Sequence, residues 1–546
     1  MKSPKVYLLI LSVWGTLIAV SASSLSAQVD AGWKHLPIAG ILVGVLAIFI
    51  GYFWLNGTKD VVYTLFYQLY LKRRLTDVTP DHMYRSQMPK VVLAYCTCND
   101  FNESRLLASM HQTYDNYTVV ILDDSRQLEF VQAIDHFAQQ HGISVIRRPD
   151  RQGFKAGNLN NYLRNASFDY FVILDSDETI PPNFISRALD YFARPDIGIV
   201  QANHHAIGGT NRFMEQFGPG VDAHWPAYQS VKDRYGFLSL LGHGAMVSRP
   251  CYEASGGFPD VVAEDLAFSI RARVSGFYTV FAPDILCGEE FPVSYLAFKR
   301  RHLKWTKGNI EFIRNFTYAM LVSPMTWFEK LDIVLFTYSL PLTALFFTYI
   351  VIAVVCLPLL GFQIHYPLWM LGPTVTFLIA PMANDILTYG RSGHYGAIAS
   401  YCLHCFALYG SMLYTSLVAS VLSVFGRADF LVTPKQTGQI TLGRALQANA
   451  QELAFGALLL LVAWTVGGSI VPCLFVALAA LSSPYLTLLS NKDLSGRSLH
   501  RHRQGQKCQQ EAMLHLVRHS WWVPAGSESP GHPAVTGDGR QAIQHT

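Results

Sequence analysis

Apolar residues dominate both flanks of the chain, and a stretch of ordinary mixed patterning lies between them. Six runs are long and apolar enough to suggest membrane spans: 6–22, 37–56, 333–357, 367–387, 454–469 and 471–490. A helix needs about 20 such residues to cross the hydrocarbon core. A seventh run, 400–425, is apolar but carries Tyr, His and Ser. The segments 61–74 ("VVYTLFYQLYLKRR") and 310–330 read as interfacial helices, the first with aromatics and leucines on one side and a basic end. Residues 1–27 also fit a cleaved leader: Lys2 and Lys5 precede the apolar run and "SLSAQ" follows it. That alternative to a first span stays open.

Between 85 and 310 the pattern changes. "VVLAY", within 90–100, is a continuous apolar run, as in a parallel strand covered on both faces. "NESRLLASMHQT", 102–113, has helical spacing, and "YTVVILDDS", 117–125, is a second strand ending in acids. "HGISVIRRPDR" predicts a third strand and "KAGNLNNYLRNA" a helix. "DYFVILDSDE", 169–178, is another buried strand with acids at its end. Alternating strands and helices with right-handed crossovers predict a doubly wound, mostly parallel α/β sheet.

Charge supplies the orientation. Lys72, Arg73 and Arg74 follow the second span, and Arg391 the fourth. Arg427, Lys435 and Arg444 follow 400–425, and Lys492, Arg497 and Arg501 the last span. The opposite loops, 23–36 and 358–366, carry only Lys34. The excess marks the cytosolic side. It is consistent if 400–425 lies along or dips into that face, giving six spans with 85–310 and both termini cytosolic. The expected organisation is a membrane region over 1–84 (two spans plus the interfacial helix), a cytosolic domain over 85–310, membrane and interfacial helices over 311–490, and a polar, disordered tail over 491–546. Composition agrees: hydrophobic residues are 51% and charged ones 15%, against about 25% charged in soluble domains. A net charge of +4 gives no reason to expect a nucleic-acid partner. The nine cysteines are scattered and odd in number, a poor disulfide framework. Cys96-Thr-Cys98 and Cys402-Leu-His-Cys405 lack second ligand pairs and read as buried thiols.

Ligands of such sheets sit outside the carboxyl ends of the strands, where Asp123, Asp124, Asp175 and Asp177 fall. One such acid caps a helix in many proteins. An Asp-x-Asp pair is also suited to a hard divalent cation that takes further oxygens from phosphates. "LGHGAMVSRP", 241–250, is a small-residue turn that lets a backbone approach a ligand. Glu264 and Asp265 open a helix. First-turn acids favoured by the helix dipole and a positioned general base are equally good readings of them.

In order, "DDS" (123–125), "KAGNLN" (155–160), "DSD" (175–177), "AED" (263–265) and "RHLKW" (301–305) ahead of membrane helices resemble the family 2 glycosyltransferases. The set is most similar to the membrane-embedded processive synthases of cellulose, curdlan, chitin and hyaluronan. "FLVTPK", 430–435, resembles the gating loop of bacterial cellulose synthases, so 428–436 is its counterpart here. The resemblance covers about 88–436 and implies a GT-A fold inserted between transmembrane helices. It assigns Asp123 to the uracil, Thr97 to the nucleotide pocket and Lys155 to the diphosphate. Asp175 and Asp177 become ligands of Mg²⁺ or Mn²⁺, with Asp175 also on the donor side. Asp265, beside Glu264, becomes the catalytic base. Trp305 lies under the acceptor sugar, with Arg301, Lys304 and His243 in the acceptor region. Phe430, Val432, Thr433 and Lys435 close over the nucleotide.

The implied activity is inverting transfer of a hexose, glucose first, from a UDP-sugar to a β-linked glycan that is passed across a bacterial inner membrane. The alternative is a non-processive transferase adding one or a few sugars to a lipid or glycan. A periplasmic or accessory subunit fits the resemblance; no residue here identifies one. A non-enzymatic role is argued against by the intact acids. Two departures stand out. Arg301 and Lys304 occupy places where the family has Gln and Arg, and Lys lacks the planar fork of Arg. The chain after the last span is also too short for the cyclic-di-GMP-binding barrel of bacterial cellulose synthases.

Overall fold

The structure is a computed structural model that describes residues 2–72, 88–390, 395–425, 434–435, 438–466 and 470–493. The expected tail (apart from 491–493) and Phe430, Val432 and Thr433 lie outside the described residues.

Eight strands form one sheet: β1 Val91–Thr97, β2 Tyr117–Asp123, β3 Ser144–Arg147, β4 Tyr170–Asp175, β5 Glu178–Thr179, β6 Ile197–Ile207, β7 Ala245–Ser248 and β8 Tyr278–Glu290. Their order is β3-β2-β1-β4-β7-β6-β8-β5. The four strands read from sequence form the parallel half. The other half is mixed: β7 runs antiparallel to both β4 and β6, while β8 is parallel to β6. The sheet is therefore less parallel than the strand–helix alternation predicts. That alternation describes crossovers only, and a short strand such as β7 carries little pattern of its own.

The unbroken apolar run of β1 follows from two covered faces. Val91, Leu93 and Tyr95 pack with Leu106, Ile134 and Phe137 on one side. Val92, Ala94 and Cys96 pack with Ala156, Leu159 and Phe268 on the other. Register then aligns the strand ends, with Thr97 opposite Asp123 and Cys96 opposite Asp175. The helix Phe154–Leu163 is locked by Asn160, whose Nδ2 donates to the Phe258 carbonyl (2.8 Å). Its Oδ1 accepts from Tyr252 Oη (2.9 Å) and Phe258 N–H (3.0 Å). Asn160→Ala removes three buried hydrogen bonds, at about 1 kcal/mol each. A loss of about 3 kcal/mol is expected, seen as a lower thermal midpoint of the detergent-solubilised protein.

Among the described residues five helices are long and apolar enough to cross a membrane: Lys5–His35, Pro37–Leu71, Leu368–Gly390, Tyr395–Val424 and Cys473–Asn491. A sixth is possible in the pair Leu442–Ala448 and Ala450–Val466, bent by 69°. Four expectations change. The segment 61–74 is not a separate interfacial helix: the second span continues through it to Leu71, because Lys59 and Asp60 pair with each other inside the protein (3.0 Å) rather than ending the helix at a polar boundary. The 310–330 stretch is two pieces, the helix Tyr295–Val322 and then Trp327–Thr337, separated at a capping box on Thr326 and Glu329. The 333–357 run is likewise interrupted, leaving the shorter apolar helix Ala344–Leu359. The 400–425 run, expected at the interface, is long and apolar enough to span.

Candidate active site

The carboxyl edge of the parallel half gathers alternating charges. Lys155, one residue into its helix, forms an ion pair with Asp175 at the end of β4 and donates to the Gly242 carbonyl (2.8 Å). Lys435 forms an ion pair with Asp177. Burial pushes the Asp175 carboxyl up, but Lys155 and then His243 outweigh it and hold it below its ordinary value. Burial opposes Asp177 in the same way, and Lys435 brings it down to about 2. Both carboxylates are thus anionic at neutral pH and already neutralised by cations.

Gly242 has φ +89°, a conformation that suits glycine. A Cβ there would lie 3.4 Å from Asp265 Oδ2. The small-residue turn therefore lays backbone directly beside Asp265. Glu264 and Asp265 begin the helix Glu264–Val274. Burial, then Asp265, raises Glu264 to about 7, although Lys155 and Lys304 pull the other way. Burial also raises Asp265, against its own Leu266 N–H (2.8 Å), Lys155 and Lys304. Lys304 sits between the two acid groups: burial lowers it, while Glu264 and Asp175 oppose that. Asp175, Asp177, Glu264, Asp265, Lys155, Lys304 and Lys435 are so brought into one electrostatic site.

Trp305 is 43% exposed. The Arg301 guanidinium stacks on its ring at 4.7 Å and also lies over Phe291 (5.1 Å) and Phe298 (5.5 Å). Arg301 Nη1 faces Glu289 Oε1 at 3.7 Å. The place of Arg301 is therefore behind Trp305, supporting the ring. Lys299, in the same basic run, pairs with Glu452 of the Ala450–Val466 helix, and His302 Nε2 lies 2.6 Å from Ser416 Oγ. The basic run is more than a membrane collar.

Asp123 is fully enclosed: Oδ1 accepts from Ser125 N–H (2.7 Å) and Oδ2 from Arg147 Nε (2.7 Å). Thr97 Oγ1 donates to Asp100 (2.9 Å). A cavity of about 390 Å³ opens alongside, lined by residues including Asn99, Asp100, Asn102, Ser176, Asp177 and Lys435. His243 Nδ1 stands 3.4 Å from Glu178 Oε1. Arg148 and Arg151 have no role in the sequence reading, yet they hold Asp124. Arg148 does so through two nitrogens (2.9 and 2.6 Å) and Arg151 through the backbone carbonyl. Their signal was the "RRPDR" run between a strand and "KAGN".

An Asp-x-Asp site implies a divalent cation. Two ionised oxygen donors suit a hard cation, which would take the place that the Lys155 and Lys435 ammonium groups hold. Asp175 and Asp177 are the residues that would hold it.

Residues 170–380 match Glycosyl transferase family group 2. The chain is 25% identical over 288 residues to a probable glucomannan 4-beta-mannosyltransferase of Arabidopsis thaliana, a match covering 50% of this chain and 53% of that protein. It is 26% identical over 246 residues to the beta-monoglucosyldiacylglycerol synthase of Synechocystis, covering 44% of this chain and 51% of the relative. The chain spans about half the length of these curated relatives. Among solved structures it is similar to a Pyrobaculum calidifontis mannosyltransferase in complex with GDP-Man and Mn²⁺, with TM-score 0.43 and 20% identity over 69% of this chain and 98% of that one. The Asp-x-Asp pair, the Glu264–Asp265 helix start and Trp305 all lie inside 170–380, the stretch that matches Glycosyl transferase family group 2.

Proposed function

We propose that the chain is an inverting, processive synthase that transfers a hexose, glucose in the first instance, from a UDP-sugar to a β-linked glycan and passes the product through its own helices. The observation that carries this reading is the placement of paired carboxylates, lysines and Asp265 together with the exposed face of Trp305, on a helix bonded to the membrane segments. The catalytic domain would face the cytosol of a bacterial inner membrane, and a periplasmic or accessory subunit would receive the chain.

In this mechanism Asp265 takes the proton of the acceptor hydroxyl, commonly worth about 10²–10⁴-fold. The hydroxyl attacks the anomeric carbon as its bond to the diphosphate breaks, so an α-linked donor gives a β-linked product. Lys155, Lys304 and Lys435 face the diphosphate, and Asp123 and Thr97 belong to the nucleotide side once Arg147 gives way. Mg²⁺ or Mn²⁺, when bound at Asp175 and Asp177, neutralises charge on the leaving nucleotide. Phe430, Val432 and Thr433 would complete the cover that Lys435 begins. Trp305 stacks under the acceptor sugar, an aromatic face against C–H bonds.

Because the base works deprotonated and burial raises Asp265, kcat/KM is expected to fall as pH drops, with its acidic limb displaced above the ordinary carboxylate position. A limb at an ordinary carboxylate position would remove Asp265 and Glu264 from that role. Trp305→Ala is expected to raise the acceptor KM about tenfold, the size of a lost stacking contact of about 1–1.5 kcal/mol, with donor KM unchanged. Acceptor titration at saturating donor measures it.

The second reading is transfer of one or a few sugars to a lipid. It is favoured by the Synechocystis relative, whose name includes diacylglycerol, and by Arg301 and Lys304 in place of the family residues. Purified chain in membranes with radiolabelled UDP-glucose, UDP-GlcNAc or GDP-mannose separates the two. Long, gel-excluded product supports the first, and a short organic-soluble product supports the second.

A further inference from the structure

Glu178 follows Asp177 directly but points away from the Asp-x-Asp pair, into the protein. Its Oε1, His204 Nδ1 and His243 Nδ1 are buried with no hydrogen-bond partner among the described residues. One ligand atom from each of the three lies within 4.8 Å of the others. Glu178 and His204 are each 1% exposed. His243 Nδ1 is 3.4 Å from Glu178 Oε1, and His204 Nδ1 is 4.0 Å from it. Ligands about 2.1 Å from a tetrahedral centre stand about 3.4 Å apart, so these spacings need little closing. Glu289 on β8, directly across from Glu178 in the ladder, lies outside that group, but its Oε2 is 3.7 Å from His204 Nδ1, near enough to swing in as a fourth donor.

The surroundings hold the cradle open. Gly244 has φ +59°, and a Cβ there would collide with Glu178 Oε1 and stand 2.7 Å from His204 Cε1. Its N–H fixes Glu178 Oε2 at 3.0 Å, leaving Oε1 turned toward His243 Nδ1. Gln201 Nε2 steadies the far edge of the His204 ring (3.2 Å) and also reaches the carbonyls of Ala202, His243 and Gly244, more acceptors than its two protons serve.

We infer that Glu178, His204 and His243, with Glu289 as fourth ligand, form a second metal site for a Zn²⁺-class ion, separate from the Asp175–Asp177 pair. Two imidazoles and carboxylates suit such an ion, whereas Mg²⁺ takes oxygen donors and retains waters. Four protein donors close the site, so its role is structural. It ties β5, β6, β8 and the turn into β7 together beneath the loop that carries Asp177.

The test is metal content, independent of transfer activity. Full-length protein stripped with chelator is titrated with Zn²⁺ or Co²⁺ under excess Mg²⁺. One tightly held equivalent per chain is expected, with the intense tetrahedral Co²⁺ absorption. His204→Ala is expected to weaken it by about 100-fold or more, and Asp177→Asn to leave it intact. Absence of a retained equivalent in the parent protein overturns the site. So does an equivalent that survives His204→Ala, or one that is lost with Asp177→Asn. Should His204→Ala fail to fold, the parent's Co²⁺ spectrum decides, since a weak octahedral spectrum contradicts the donor set.

Discussion

Asp265→Asn is expected to lower kcat by about 10³-fold, within the usual span for loss of a general base, while the donor KM stays near that of the parent. The reason is local. Asn keeps the shape and can accept from Leu266 N–H as the carboxylate does at 2.8 Å, so the start of the Glu264–Val274 helix should persist. What disappears is the only property the proposed mechanism asks of this side chain, its capacity to take a proton. Rates measured from released nucleotide at saturating donor and acceptor give the comparison. A variant that retains more than a tenth of the parent kcat would assign the base to another group.

Asp177→Asn is expected to be at least as damaging, with loss of about 10³-fold or more and abolished response to added Mg²⁺ or Mn²⁺. A cation facing developing charge supplies several kcal/mol, and each 1.36 kcal/mol is tenfold in rate. The substitution also releases Lys435, whose ion-pair partner is Asp177. Folding should survive, because the loop carrying Asp177 is pinned next door by Glu178 and the Gly244 N–H. A full metal response in Asp177→Asn would place the cation elsewhere. The two variants are distinguishable: Asp265→Asn should still bind donor with metal, measurable by calorimetry, and Asp177→Asn should not.

The parallel half of the sheet was legible because β1, β2 and β4 are buried on both faces, and such strands are written as continuous apolar runs with polar ends. β7 was not, since its four residues sit in a glycine-rich turn that also reads as loop. The merging of 61–74 into the second span was hidden for a different reason. Lys59 and Asp60 look like a boundary in one dimension, and only the fold brings them together as a buried pair. The acids of the site were visible from strand ends, but their counter-ions were not, because Lys155 and Lys435 are 280 positions apart in sequence. His243 could be marked as a residue of interest from its turn. Its partners Glu178 and His204 could not, since spacing in sequence gives no hint that β5 and β6 both lie beside that turn.

The Tyr295–Val322 helix carries Trp305, and within the two turns before it Lys299 is paired to the Ala450–Val466 helix and His302 to Ser416 of the Leu413–Phe425 helix. A change in bilayer thickness is accommodated by helix tilt at modest cost, and under the proposed function any such tilt would reach the Trp305 ring beneath the acceptor. Lipid chain length should therefore act on acceptor turnover as a substrate-like variable, and a detergent micelle should report a different acceptor KM from a native membrane without any change at Asp265.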